Sequence, residues 1–279
     1  MHFRRSWEVE KKLSVEGTYL EEIVAHHRVR AARDGRPRDE LFERAKQAPV
    51  PTSFRSALAL PERQVSLIAE CKRRSPSRGE LAEIPDPLAL ADSYARGGAA
   101  AISVLTDQRF FSGSLDDLRA ISAGVSVPCL RKDFTVDLAD LCDAKLAGAS
   151  AVLLIVAALA EDQLEFFLMI AAELGLGALV EVHSRQELAV ANSLGASIIG
   201  VNQRNLHDFS INHKLGAELI GEIDRHAVKV IESGITTVEQ VAQAAEAGFD
   251  AMLVGEALVR DSDPAAGAAR FVAAGRAGA

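Results

Sequence analysis

An α/β fold, a single closed (β/α)8 barrel preceded by a helical extension, is the architecture that this sequence predicts, on three observations. Short aliphatic runs recur after Gln64, eight of them, starting roughly 20 to 35 residues apart. Segments with apolar positions at helical spacing fill the intervals. The runs are apolar throughout rather than alternating, the composition of strands covered on both faces in a parallel sheet. About eight such units close a TIM barrel of ~250 residues. An open doubly wound sheet fits the same alternation, but no G-x-G-x-x-G follows the first strand.

Residues 1–60 read as a charge-rich N-terminal extension, with residues 1–16 open to disorder. Residues 18–29 carry apolar positions at helical spacing behind Thr18 as N-cap, with His26 and His27 on an exposed helix. A second short helix is expected over 38–46, before the breakers Pro49 and Pro51. Too few apolar residues remain for a separate core, so the extension packs on a catalytic barrel domain spanning 61–279. Its strands are expected at 65–71, 100–105, 127–130, 151–155, 178–182, 197–201, 228–231 and 251–254. Helices are expected among them at 87–96, 138–146, 161–174, 185–194, 238–247 and 264–274. Gly97-Gly98, Gly148, Gly195 and Gly248 fit the turns that end helices ahead of strands.

Composition narrows the function. The chain has 279 residues, 48% hydrophobic and 25% charged, with a formal net charge of −8. That balance argues against nucleic acid or an anionic membrane surface as partner. The longest apolar stretch, 147–159, is too short to span a bilayer, and no apolar h-region follows Met1. Cysteines 71, 129 and 142 show no metal-ligand spacing, and their odd count fits a reducing compartment. Cytoplasmic residence without dependence on a metal is the expectation, with a monomer as the expected state.

In such barrels the site lies at the C-terminal ends of the strands. Strand one ends in Glu70 and Lys72, which share a side because side chains alternate. Strand three ends in Arg131-Lys132-Asp133, strand five in Glu181 and His183, and strand six in Asn202 and Arg204. Strand seven ends in Glu232-Ser233-Gly234 and strand eight in Gly255-Glu256, whereas strands two and four end less polar, at Thr106 and Ile155. Lys132, Glu181 and Asn202 share the parity of Leu130, Leu179 and Gly200, so one phase turns all three inward. Acid, base and amide then converge on one mouth. Asp133 reads as structural, paired with Arg131 or capping the next turn, and His183 as a rim residue that packs or hydrogen-bonds. The loops after strands seven and eight are where barrels bind phosphate, and Gly234 and Gly255 permit close approach of backbone N–H groups. Ser75, in the loop after strand one, is placed to add a hydroxyl.

Several of these segments resemble the indole-3-glycerol phosphate synthase family. They are 68–79 (IAECKRRSPSRG), 102–118 (ISVLTDQRFFSGSLDDL), 128–137 (PCLRKDFTVD), 179–183 (LVEVH), 199–206 (IGVNQRNL), 232–235 (ESGI) and 253–258 (LVGEAL). The resemblance runs from about Thr18 to Arg260. It implies ring closure of 1-(2-carboxyphenylamino)-1-deoxyribulose 5-phosphate with loss of CO₂ and water, a step of tryptophan biosynthesis. It implies Lys132 as the general acid on the ribulose carbonyl, Lys72 on the anthranilate carboxylate, and Glu181 as acid or base in dehydration. Glu70 and Asn202 would orient groups beside them. Arg204 and Ser233 would line the substrate site, and Ser75, Gly234, Gly255 and the Glu256 N–H would hold the phosphate. Burial is expected to tune the acid lysine toward neutral pH. One departure stands out: Glu256 occupies a place where a small hydroxyl residue would be the obvious phosphate ligand, so its carboxylate is expected to turn away. A phosphosugar isomerase on the same barrel needs one acid–base pair and no decarboxylation, and the two lysines argue for the synthase. A silent phosphosugar-binding protein leaves the set Glu70, Lys72, Lys132, Glu181 and Asn202 without a purpose.

Overall fold

The computed structural model of the chain describes residues 18–59, 64–205 and 208–276; the disorder expected for residues 1–16 lies outside the described residues. Three helices come first, α1 (Tyr19–Arg33), α2 (Arg38–Gln47) and α3 (Phe54–Leu58). Thr18 caps α1 in a reciprocal box: its hydroxyl accepts from Glu21 N–H at 3.2 Å, and Glu21 Oε2 accepts from Thr18 N–H at 2.7 Å.

Eight parallel strands then close a barrel in chain order. They are β1 (Ser66–Cys71), β2 (Ala101–Leu105), β3 (Cys129–Lys132), β4 (Ala151–Ile155), β5 (Gly177–Val182), β6 (Ile198–Asn202), β7 (Val228–Glu232) and β8 (Ala251–Val254). The barrel closes where β8 pairs with β1, Ala251 opposite Ser66. The helices between are α4 (Pro87–Arg96), α5 (Gln108–Phe111), α6 (Leu115–Gly124), α7 (Leu138–Leu146), α8 (Glu161–Glu173) and α9 (Arg185–Ser193). After them come α10 (Leu215–Leu219), α11 (Val238–Ala247), α12 (Glu256–Val259) and α13 (Pro264–Arg276). Gly248 ends α11 in the left-handed region, at φ 95°, which a residue with a Cβ rarely adopts.

Strand alternation sorts the apolar residues into two layers. Leu67, Ile102, Val152, Val180, Val201 and Met252 point outward to the helices, while Ile68, Leu130, Leu153, Leu179, Val230 and Leu253 fill the barrel. Phe54 and Leu58 of α3 join the interior cluster, and the Ser66 hydroxyl donates to the Leu58 carbonyl at 3.0 Å, closing the N-terminal end. At the other end Leu20 and Val24 of α1 join the same cluster, and Arg28 donates to the Ala158 carbonyl at 3.0 Å.

The structure departs from the sequence expectations where elements lack an aliphatic run. The ladder continues through polar strand ends: Lys132 pairs opposite Leu105 and Glu232 opposite Asn202, because backbone pairing is indifferent to side-chain charge. A two-stranded ribbon, Arg74–Ser75 with Gly79–Glu80, stands in the loop after β1. The exposed setting expected for His27 is corrected, since the residue is 2% exposed. Its Nε2 lies 2.8 Å from Asp107 Oδ2 and 3.7 Å from Asp133 Oδ1, tying α1 to the loops after β2 and β3. Among the described helices none is long and apolar enough to cross a membrane.

Candidate active site

At the C-terminal ends of the strands lies a cavity of about 420 Å³ lined by Glu70, Lys72, Ser75, Lys132, Glu181, Asn202, Arg204, Glu232, Ser233, Gly234, Gly255 and Glu256. A groove of about 860 Å³ on the outer side of α1 gathers Arg30, Arg36, Asp137, Asp140 and Asp143. These charges largely satisfy one another, Arg36 with Asp143 at 2.8 Å and Arg30 with Asp140. The barrel cavity, whose charges face inward on rigid strands, is the candidate site.

Its floor is a knot of charge. Lys132 Nζ sits 3.4 Å from Glu181 Oε2 and 3.6 Å from Glu232 Oε2. Burial alone would lower the Lys132 pKa, but Glu181, Glu232 and Glu70 outweigh it and hold the ammonium above the ordinary lysine value. The tuning toward neutrality expected for this lysine is therefore reversed. Burial likewise opposes the Glu181 carboxylate, yet Lys132, His183 and Asn202 carry it well below the usual range. Glu232 goes the other way: burial and the Glu181 charge push it up to about 8, against the pull of Lys132. Both Glu232 oxygens are buried without a hydrogen-bond partner among the described residues. The knot thus separates one ionised carboxylate from one that holds its proton at neutral pH.

Lys72 stands on the β1 side. Its Nζ is 3.6 Å from Glu70 Oε1 and 5.5 Å from the Phe111 ring centroid. Burial lowers its pKa, and Lys132 and Arg204 add to that against the attraction of Glu70. Glu70 is fixed by the Ser103 hydroxyl, which donates to Oε2 at 3.2 Å. Gly255 leaves Glu70 room, for a Cβ there would lie 2.8 Å from Oε1. Gly200 serves Glu232 likewise, with only 2.1 Å between a built Cβ and Oε1. Phe111, Phe134, Leu153 and Ile155 supply an apolar wall.

The rim gathers hydroxyls, guanidinium groups and backbone. Ser75 Oγ accepts from Arg78 N–H at 3.2 Å, and Arg204 donates to the Phe209 carbonyl at 3.1 Å. Ser233 and Gly234 both have positive φ, 64° and 80°, a turn that presents successive backbone groups at the end of β7. Gly255 precedes α12, and no side chain caps that helix. Glu256 is ion-paired with Arg78 and with Arg260, each at 3.6 Å, so its carboxylate is held by cations.

Comparison with known proteins bears on this geometry. A family model described as Indole-3-glycerol phosphate synthase matches residues 20–271. The chain belongs to the indole-3-glycerol phosphate synthase family. Curated indole-3-glycerol phosphate synthases share 49% identity over 241 residues (Kineococcus radiotolerans, 85% of this chain and 88% of that protein). The Chlorobium chlorochromatii enzyme shares 46% over 244 residues, 86% and 95% of the two chains. That of Nocardioides sp. shares 55% over 199 residues, 71% and 76%. Among solved structures, a thiamine phosphate pyrophosphorylase from Pyrococcus furiosus superposes with TM-score 0.58 at 15% identity, covering 77% of this chain and 97% of that one, which shows the barrel fold alone.

Apart from Thr106, Arg131 and His183, the residues singled out from the strand ends of this synthase-family chain line the one cavity. To the residues given a role from the sequence, the structure adds Glu232, Phe111 and Phe134. Glu232 has the inward parity of Val228 and Val230, and that phase was available in the sequence. Asp133 lines the cavity beside the lysine, with its carboxylate held by Arg131 Nη2 at 2.9 Å and the Thr106 hydroxyl at 2.6 Å. His27, Asp107 and Asp133 form a cluster whose donor atoms lie within 4.8 Å, close enough together for a metal. Their oxygens are already engaged, Asp107 Oδ1 by the Phe110 and Phe111 N–H groups and Asp133 Oδ1 by Phe134 N–H, so the cluster reads as a structural clip.

Proposed function

We propose that this cavity closes the indole ring of 1-(2-carboxyphenylamino)-1-deoxyribulose 5-phosphate, releasing CO₂ and water to give indole-3-glycerol phosphate. The observation that carries the reading is the floor: a lysine held charged between an ionised and a protonated carboxylate, with a second lysine on an apolar wall. The aryl ring fits against Phe111, Phe134, Leu153 and Ile155, with its carboxylate toward Lys72, whose charge is poorly solvated and gains a partner. The phosphate fits the rim of Ser75, Gly234, Gly255 and the Glu256 N–H, with Arg204 and Ser233 lining the chain between.

Ring closure joins the aromatic carbon bearing the carboxylate to the ribulose carbonyl carbon. Negative charge develops on the carbonyl oxygen, and Lys132 donates its proton there, because its ammonium is the group that the surrounding carboxylates keep charged. The C–CO₂ bond then breaks and its electron pair restores the ring. The hydroxyl formed from the carbonyl takes a second proton, from Lys72, and leaves as water as the proton on the neighbouring carbon is taken. Glu181, ionised and 3.4 Å from Lys132, is the base for that proton and the route by which the lysine is recharged. Glu70 and Asn202 orient Lys72 and Glu181. No step transfers electrons to a carrier, so the proposed chemistry needs no redox cofactor. The same reading has the protein working in the cytoplasm, which Cys71, Cys129 and Cys142, all buried and unbridged, support, and takes a monomer as its state.

Lys132→Ala and Glu181→Gln test the assignment. Both are expected to lose at least about a thousandfold in turnover of the ribulose phosphate, the scale of a lost acid or base and its charge, with an unchanged circular dichroism spectrum. Wild-type turnover in Lys132→Ala contradicts it.

A further inference from the structure

Glu181 has two oxygens, and the chemistry above uses the one that faces Lys132. The other, Oε1, lies 3.2 Å from His183 Nε2. His183 follows β5, and its Nδ1 is 3.2 Å from Glu187 Oε2 on α9. The same Glu187 oxygen accepts from the His183 backbone N–H at 2.8 Å, and Glu187 Oε1 accepts from the Ser184 hydroxyl at 3.3 Å. Glu187 is therefore pinned at its own helix N-terminus and holds the ring from behind. Nε2 is buried and completes no hydrogen bond among the described residues, so Glu181 Oε1 faces it as an ion-pair neighbour. A neutral imidazole offers one donor and one lone pair, which would leave a carboxylate facing the lone pair, whereas the doubly protonated ring satisfies both neighbours.

We propose that His183 is a positioning residue of this site, a cation clamped by Glu187 that fixes the outer oxygen of Glu181 and keeps its inner oxygen an ionised base facing Lys132. The proposal rests on the assignment of Glu181 made above. Burial opposes the ring charge, and the carboxylates of Glu181 and Glu187 outweigh it and push the His183 pKa up to about 9. The charged groups around it are Glu181 on β5, Glu187 on α9 and, beyond Glu181, Lys132 of β3 and Glu232 of β7. Exposure rises outward along the line: the side chains of Glu181, His183 and Glu187 are 2%, 12% and 22% exposed. The clamp is thus anchored near solvent and acts at the floor. It accounts for a carboxylate that remains ionised beside a second, protonated one, since an opposite charge within ~4–6 Å lowers a carboxyl pKa by roughly 1–3 units.

The test is the pH profile of kcat/KM for wild type, His183→Gln, His183→Leu and Glu187→Gln. His183→Gln keeps a hydrogen-bond donor and removes the charge. Its acid limb, set by a carboxyl that starts well below the usual range, is expected to move up by roughly 1–3 pH units, so that activity falls at the acid end of the profile and recovers toward neutral pH. His183→Leu shifts the limb likewise, and Glu187→Gln shifts it less. A loss of equal factor at every pH, with the limb in place, marks a merely structural residue and overturns the proposal. Should the Leu variant fail to fold, the Gln variant decides. ¹⁵N NMR of the His183 ring in substrate-free protein gives an activity-independent reading. Both nitrogens protonated at pH 7, and a lower titration midpoint in Glu187→Gln, support the clamp, while a neutral ring at pH 7 overturns it whatever the turnover. Absence of CO₂ release by the wild type sinks the assigned reaction and leaves the NMR result standing.

Discussion

Replacing Lys132 by Met removes the charge from the barrel floor at little change in volume, and its cost follows from the distances. Two carboxylates, each 2% exposed, lie 3.4 and 3.6 Å from Nζ. At an effective dielectric of about 20 each attraction amounts to about 5 kcal/mol. Glu232 holds its proton at neutral pH, so Glu181 supplies the pair that matters there. Stripping one partner from a buried pair costs about 3–5 kcal/mol, because the other charge stays buried; His183 still faces Glu181, which favours the lower end. The expected loss at pH 7 is about 3 kcal/mol by urea unfolding followed with circular dichroism. The sign with pH is determined. In wild type the Glu181 pKa is depressed, so its contribution is present above the unfolded value of ~4.3 and persists through neutrality. Without Lys132 that carboxyl rises, the folded state binds the extra proton, and the deficit shrinks as pH falls toward 4.5. A deficit below about 1 kcal/mol at pH 7, or one independent of pH, would refute the charge knot as the account of this floor.

Three further outcomes can be checked. Glu232, raised to about 8, binds a proton in the folded state that the unfolded chain has released, so it costs stability as pH rises from about 4.5 to 8; Glu232→Gln should remove a slope of up to about 1.4 kcal/mol per pH unit, read by urea unfolding across that range. Gly255→Ala sets a Cβ 2.8 Å from Glu70 Oε1, and steady-state kinetics should show kcat/KM falling by about tenfold or more as that carboxylate and Lys72 shift, on the scale of overpacking a tight contact. His27→Ala removes the imidazole from buried Asp107 and Asp133 and should cost about 1–3 kcal/mol; an unchanged thermal midpoint would show that the clip between α1 and the barrel carries no stability.

How far the sequence discloses this site depends on which physical signal each residue leaves. Lys132, Glu181 and Asn202 were legible because a buried parallel strand has one inward phase, and the apolar residue two places earlier reports it. Glu232 carries the same signal through Val230, but Ser233-Gly234 follows at once, so the segment reads as a turn with a phosphate purpose. Gly255 could be read as a place of close approach, yet the group that approaches is the Glu70 carboxylate of the neighbouring strand, which only the β8–β1 pairing brings there. His27 was misread because helical spacing reports a face and not what covers it; the covering acids come from loops 80 and 106 residues away. The pKa pattern was illegible for the same reason: burial of Lys132 is visible in its strand, whereas the three carboxylates that outweigh it come from three others.

The central claim is that this floor performs a decarboxylating ring closure. Purified wild-type protein, given 1-(2-carboxyphenylamino)-1-deoxyribulose 5-phosphate, should release one CO₂ for each indole-3-glycerol phosphate formed, followed by ¹⁴C capture from carboxyl-labelled substrate and by indole absorbance. Substrate returned unchanged, or isomerised with its label retained, would contradict the account.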